Sequence, residues 1–162
     1  MQFEPKPVLC IRPYIKDTSD ELNSLRKQED EDVKFVDMLW DKEWITPLEE
    51  DLTIYSNLIR HCTIGINAAS TVSLELCMFD KPVINIYFDP PGSNLPEYLK
   101  WKRHIEFDHY LPIVESGAVK VAKDIEELFA YVNLYIDDQS IDRENRKILI
   151  NDFFSGELPS GS

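Results

Sequence analysis

The stretch TIGINAASTVSLELCMFDKPVINIYF, Thr63 to Phe88, sets the reading of the whole chain. Thr63–Asn67 is a short apolar run of strand character, and Pro82–Phe88 is a second one, apolar almost throughout. Between them Ser70–Phe79 reads as a helix. A strand that must bury both faces loses the apolar–polar alternation of a half-exposed one, so strand, helix and strand together predict a parallel βαβ unit. Asn67-Ala68-Ala69-Ser70-Thr71, small and hydroxylated, falls where the chain leaves a strand and enters a helix.

The flanks extend the pattern. Pro7–Tyr14 (PVLCIRPY) reads as a buried strand, Val33–Asp37 as another and Ala118–Ala122 as a fifth. Asp17–Asp32 suggests a short surface helix and an acidic turn, and the segment around Trp40 and Trp44 a loop. Thr46, Pro47 and Glu49 have the order of a helix start with a capping box. Leu48, Leu52, Tyr55, Leu58, Ile59 and Cys62 then fall on one helical face. Residues 89–107 form a long loop rich in Pro and Gly. Further helices are expected near His109–Ser116, over Asp124–Ile136 with Asp124 and Glu127 as a capping box, and over Ile141–Phe154. The expectation is an α/β, Rossmann-like parallel sheet of about five strands with helices on both faces. It is a single domain over 1–162, with a core over 7–154 and a frayed tail over 155–162. In the order 2-1-3-4-5 the first and third strands meet at the switch point, where ligands of open α/β sheets bind. The loop after Arg12 and the loop carrying Ala68–Ser73 would meet there.

Composition bounds the function. The chain has 162 residues, enough for one ordinary domain, and 17 Lys and Arg stand against 30 Asp and Glu, a net charge of −13. Such a field repels nucleic acid and anionic membrane surfaces, so an anionic ligand needs a locally positive pocket. No apolar run reaches the ~18 residues of a membrane span. Cys10, Cys62 and Cys77 have no metal-ligand spacing and sit in apolar runs. They read as buried free thiols of a cytoplasmic protein. No metal or cofactor is expected. A phosphate-binding Gly-rich loop, a dinucleotide fingerprint and a hydrolase nucleophile elbow are all missing from the sequence.

The candidate chemistry lies in the small-residue loop. A helix beginning near Ser70 offers backbone N–H groups and a partial positive charge, Ser70, Thr71 and Ser73 add hydroxyls, and Ala68 and Ala69 would let a phosphate approach. Ser70 could equally be no more than the helix cap. Glu75, one turn in, is either a helix carboxylate or an acceptor for a sugar hydroxyl. Arg12 suits a phosphate or a salt bridge to one of the many acids. Lys100, Lys102, Arg103 and His104 are a basic cluster, a solvated face or the lip of an anion pocket. His109 starts a helix, as a structural residue or a ligand contact.

VLCIRPY, then SNLIRHCTIGINAASTVSLELCMFDKPVINIYFD, then FDHYLPIVESGAVKVAKDIEELFAYVNLYIDD resemble, in order, the C-terminal half of two-domain (GT-B) glycosyltransferases. The resemblance is to surface-polysaccharide and glycerophosphotransferase-like members, and covers about residues 7–154. It implies a domain that binds a nucleotide-sugar donor, with Ser70, Thr71 and Ser73 toward the diphosphate, Glu75 toward a donor hydroxyl, and Arg12 and His109 approaching the donor. Some relatives follow the Arg-Pro pair with His-Pro; here the residues are RPYIKD. The resemblance also implies a missing N-terminal acceptor domain, through which the enzyme would reach the membrane, and little activity for this half alone. The same order of features occurs in nucleotide-sugar epimerases. A non-catalytic nucleotide- or sugar-binding module and a plain interaction domain are the other readings.

Overall fold

The computed structural model of the chain describes residues 6–41, 43–90, 92, 93, 96 and 100–155, without the side chain of Lys102. The chain divides into two compact units, Met1–Asn57 and Leu58–Ser162.

In the first unit β1 (Leu9–Ile11) pairs in parallel with β2 (Val33–Phe35), Leu9 opposite Val33 and Ile11 opposite Phe35. The crossover carries α1 (Asp20–Arg26), started by Ser19, whose Oγ accepts from the Leu22 amide at 3.2 Å. The turn into β2 is closed by Asp30, whose Oδ1 accepts from the amides of Asp32 and Val33. β3 (Trp40–Asp41) then pairs antiparallel with β4 (Thr46–Pro47), and α2 runs over Glu49–His61.

The second unit is the expected βαβ core. β5 (Gly65–Asn67), β6 (Val83–Ile86) and β7 (Lys120–Ala122) form a parallel sheet in the order β5-β6-β7. Gly65 opposes Val83, and Ile84 opposes Lys120. The connections carry α3 (Val72–Met78), then α4 (Lys102–Ile105) and α5 (Leu111–Glu115). α6 (Ile125–Asp137) and α7 (Arg143–Ser155) follow. Alternation along β6 sends neighbouring side chains to opposite faces. Ile84 packs with Ala122 and with Tyr135 of α6, whereas Asn85 points to Ser73 of α3 and to Tyr110 at the start of α5. The sheet is therefore covered on both faces. Val83 and Ile84 expose nothing, and each such side chain contributes about 1.5–3 kcal/mol. Gly65 lets α3 pack closely: a Cβ there would stand 2.1 Å from Leu76 Cδ1, so that the leucine would have to shift.

Charged residues tie α7 and Asp142, just before it, to the residues that follow α3 and to β7. Arg146 of α7, 1% exposed, donates through Nε and Nη2 to Asp80 Oδ1 and through Nη1 and Nη2 to the carbonyls of Ile141 and Gln139. Arg143 Nε holds the other oxygen of Asp80 at 2.7 Å. Asp142 in turn accepts from the Tyr135 hydroxyl at 2.8 Å and pairs with Lys120.

Several expectations need correction. There is no five-stranded sheet: the strands form separate sheets of two, two and three, and no ladder joins β1 to β5 among the described residues. β1 is not a buried strand, since Leu9 and Cys10 are exposed. Among the described residues its ladder is to β2, and LCI carries the same apolar signal whether or not anything covers it. Cys62 is half-buried, and only Cys77 is buried as expected. Burial, aided by Asp80 and opposed by Arg146, pushes the Cys77 thiol up to about 12. The region around Trp40 and Trp44 is a hairpin, not a loop, closed by Asp41 Oδ1 accepting from the amides of Glu43 and Trp44. Thr46 and Pro47 belong to β4, so Thr46 does not cap α2. The expected loop over 89–107 contains α4. The Asp124 cap does form, with Oδ1 accepting from the Glu127 amide at 2.8 Å, while Glu127 Oε2 accepts from the amide of Lys123. Ser155 ends α7, and the rest of the expected tail lies outside the described residues. Among the described residues no helix is long and apolar enough to cross a membrane.

Candidate functional site

The small-residue loop is built from below by a buried polar network. Asn67 ends β5, and its Oδ1 accepts from the Ser70 amide at 3.1 Å, folding the chain back over Ala68 and Ala69. That tight return puts Ala69 at φ 54, in the left-handed region that costs an L-residue roughly 1–2 kcal/mol. Asn85 Nδ2, from the neighbouring strand, donates to Asn67 Oδ1 at 3.0 Å and to Ser73 Oγ at 3.1 Å. Asn67 Nδ2 also reaches Ser73 Oγ, at 3.1 Å.

The Tyr110 hydroxyl closes the group, 2.7 Å from Ser73 Oγ and 2.9 Å from Asn85 Oδ1. More than one proton arrangement satisfies the group: the Tyr110 O–H donates to Asn85 Oδ1 or to Ser73 Oγ, and the Ser73 Oγ–H donates to Tyr110 or to Asn67 Oδ1, 3.2 Å away. Burial pushes the Tyr110 phenol up, opposed only in part by its bonds to Ser73 and Asn85, so it stays protonated. Ser73 and Asn85 are wholly buried, and leaving either without partners would cost about 1–3 kcal/mol.

This geometry separates the residues singled out in the sequence. Ser73 shares the inward face of α3 with Leu76 and Cys77, and its hydroxyl has no solvent exposure. It holds the loop from beneath. Ser70 Oγ accepts from the Val72 amide at 3.3 Å, a cap-like bond one residue before the N-cap position, and is half-buried. Thr71 is exposed and occupies the N-cap position without a side-chain cap bond. Glu75, half-buried, stands four residues on, so Thr71 and Glu75 lie on the same side of the helix. Small residues, two hydroxyls and one carboxylate thus border the C-terminal end of β5.

Arg12 belongs to the first unit, and its charge is matched there. Its Nη2 donates to Asp51 Oδ2 at 2.7 Å and its guanidinium lies 5.2 Å from the centre of the Tyr55 ring. Asp51, 2% exposed, also accepts from the Leu39 amide at 2.8 Å and from Trp40 Nε1 at 3.0 Å. Burial pushes the Asp51 carboxyl up, but the Arg12 hydrogen bond, the Leu39 amide, the Arg12 charge and the Trp40 indole outweigh it, and the carboxyl ends below its ordinary value.

The basic cluster gathers on a ring. The Arg103 guanidinium sits 5.3 Å from the Phe107 centroid, His104 meets Phe107 edge-on and His109 stacks on it at 5.4 Å. His109 is exposed, and the next residue, Tyr110, ties this segment to α3 through Ser73. Lys100 is half-buried, and the side chain of Lys102 lies outside the described residues.

Sequence reading missed Asn67, Asn85 and Tyr110. The signal was present for one of them: an Asn inside the apolar run VINI must find partners if the strand is buried. Among the described residues no group of three or more His, Cys, Asp or Glu is placed to hold a metal ion. No protein-family model, no curated protein and no solved structure matches the chain.

Proposed function

We propose that the second unit is the nucleotide-sugar donor-binding part of a glycosyltransferase, acting with an acceptor domain outside this chain. The observation that carries the reading is the loop Asn67–Thr71. It lies at the C-terminal end of a parallel strand, is folded tightly on small residues, and is held by a satisfied network beneath it. In this reading the donor diphosphate lies against Ala68 and Ala69. The Ser70 Oγ–H and Thr71 Oγ1–H donate to its oxygens, and the entrance of α3 adds a partial positive charge. These donors gain strength as negative charge builds on the leaving diphosphate. Glu75 accepts from a hydroxyl of the donor. Ser73 takes no part in ligand contact; its function is to fix the loop. Arg12, paired with Asp51, is not required.

Titration of the chain with uridine and guanosine diphosphates, followed by amide chemical shifts, tests the reading. The donors in this reading are hydroxyls and a helix entrance, and the expected dissociation constant is about 1 mM. Shifts should concentrate on residues 67–75 and weaken on Thr71→Val. Absence of any shift there at several times that concentration, with the fold intact, would sink it.

A further inference from the structure

The first unit carries an apolar patch that the donor-binding reading does not use. Trp44, Ile45, Leu48 and Leu52 fall within nine positions and are 73%, 42%, 45% and 51% exposed. Single exposed apolar residues are ordinary, but a run of four large ones is not. The local structure holds them in place. Asp41 Oδ1 fixes the hairpin tip through the amides of Glu43 and Trp44. The Leu48 amide donates to the Leu39 carbonyl at 2.9 Å, clamping the entrance of α2 to the hairpin. Leu52 N donates to Leu48 O, so the two leucines stack one turn apart on one face.

Ile45 has φ 52, a left-handed backbone that a β-branched residue rarely adopts, and its side chain is left exposed. Glu43, exposed, precedes Trp44 in the chain, and a depression of about 460 Å³ is lined by Leu48, Glu49, Glu50 and Thr53. From Glu43 to Ile59 the sequence has four acids and no Lys or Arg. Favourable interaction with the dipole of α2 accounts for acids in its first turn, and Asp51 is turned inward to Arg12. It does not account for the bulky apolar side chains left in water beside them.

We infer that this surface docks a basic, amphipathic polypeptide segment, its apolar side chains against Trp44, Ile45, Leu48 and Leu52 and its Lys or Arg residues against Glu43, Glu49 and Glu50. Charge selects the occupant. A second copy would bring the same acids face to face, and nucleic acid or an anionic membrane would meet a chain of net charge −13.

The test uses the full isotope-labelled chain and three synthetic peptides of about a dozen residues, long enough for a helical turn pattern. One carries Leu and Lys at amphipathic spacing, one Ser and Lys at equal charge, one Leu and Glu. The Leu/Lys peptide should shift the Trp44 indole N–H and the Leu48 and Leu52 methyls saturably. Its dissociation constant should rise roughly tenfold on Trp44→Ser and again on Glu49→Lys with Glu50→Lys, and change less than about twofold on Glu115→Lys with Glu126→Lys. Equal shifts with the Ser/Lys peptide would mark unspecific attraction and overturn the inference. So would binding of the Leu/Glu peptide, shifts that avoid the patch, no saturable shift, or patch-dependent self-association in sedimentation. The double charge reversal keeps the inference open to refutation should Trp44→Ser disturb the hairpin.

Discussion

The two units solve the same problem by opposite means. Each has a polar group buried where a strand hands over to a helix. In the first unit it is a charge pair: Asp51, with Arg12 and two N–H donors around it, in a unit whose buried apolar side chains reduce to Leu22 among the described residues. In the second it is a neutral group of two asparagines, a serine and a tyrosine. That group sits on a sheet whose other face packs Ile84, Ala122 and Tyr135 with no exposure. A neutral, satisfied network costs little to bury, and the apolar core supplies the stability around it. A buried ion pair pays desolvation on both partners and carries the structure only while both are present. The first unit should therefore be the one that single charges can undo.

Asp51→Ala is the largest way to break the comparison. It leaves the Arg12 guanidinium without its carboxylate and frees the Leu39 amide and the Trp40 indole. Breaking a buried pair in this way costs about 3–5 kcal/mol. With so little apolar burial to draw on, the hairpin and the start of α2 should lose their amide protection, while hydrogen exchange of β5, β6 and β7 stays near its original rates. Equal loss in both units would show that the second depends on the first.

Acid should draw the same distinction without a mutation. The Asp51 carboxyl lies below its unfolded value, so it contributes stability that is full above about pH 4 and is lost as the pH falls through its folded value. The Leu39 amide and the Trp40 indole should lose protection over that range. Asp51→Asn should remove the step along with the stability it provided. The network of the second unit has no carboxylate to protonate. Asp80 is a smaller exception: burial raises it, Arg146 and Arg143 bring it below the ordinary value, but its side chain is 41% exposed and solvent screens the effect. A pH series of amide exchange read separately at Leu39 and Ile84 checks the contrast. Loss at Ile84 first would reverse it.

The same contrast explains what could be read from the sequence. The strands and the helices other than α4 from Thr63 to Phe154 were legible because the unit is organised by apolar burial, and periodicity reports burial. The spacing of Ser73, Leu76 and Cys77 would have put that serine on the inward face of α3, but the sequence reading set it beside Ser70 and Thr71 toward a diphosphate. The first unit was less legible because charge pairing leaves no period. Nothing in the order of residues links Arg12 to Asp51, thirty-nine positions apart. The hairpin has strands of two residues, one of them containing Pro47, and so gives no alternation to detect. Arg146 stayed hidden for a related reason: in RENRKIL it reads as a solvated helix residue, and only the fold reveals Asp80 opposite.

Tyr110→Phe tests the neutral network. The ring still fills its place, but Ser73 Oγ and Asn85 Oδ1 each lose a partner where no water reaches. The expected loss is about 1–3 kcal/mol of stability in the second unit by urea unfolding. Loop 67–71 should become more mobile in amide relaxation, since Ser73 and Asn85 are the groups that hold Asn67. Removing both ends with Ser73→Ala in addition should cost less than the sum of the two single changes, because the orphaned partner is removed as well. Strict additivity would mean the hydroxyls do not form one network.

The smallest effect gives the sharpest comparison, because the chemistry is the same in both units. Ser19 caps α1 through the Leu22 amide, and Asp124 caps α6 through the Glu127 amide. Removing either side chain by substitution to Ala withdraws about 1 kcal/mol. α6 has thirteen residues, is anchored by Tyr135 with no exposure, and should keep its helical chemical shifts, so the loss should appear in full as reduced stability of the second unit. α1 has seven residues and a single buried side chain, Leu22, at 9% exposure. A helix that short is marginal without its cap. Ser19→Ala should therefore melt α1 locally, visible as lost helical shifts over Asp20–Arg26, with the ladder between β1 and β2 still formed. Should α1 persist unchanged, the first unit must be held by more than its charges and caps, and the division drawn between the two units would have to be given up.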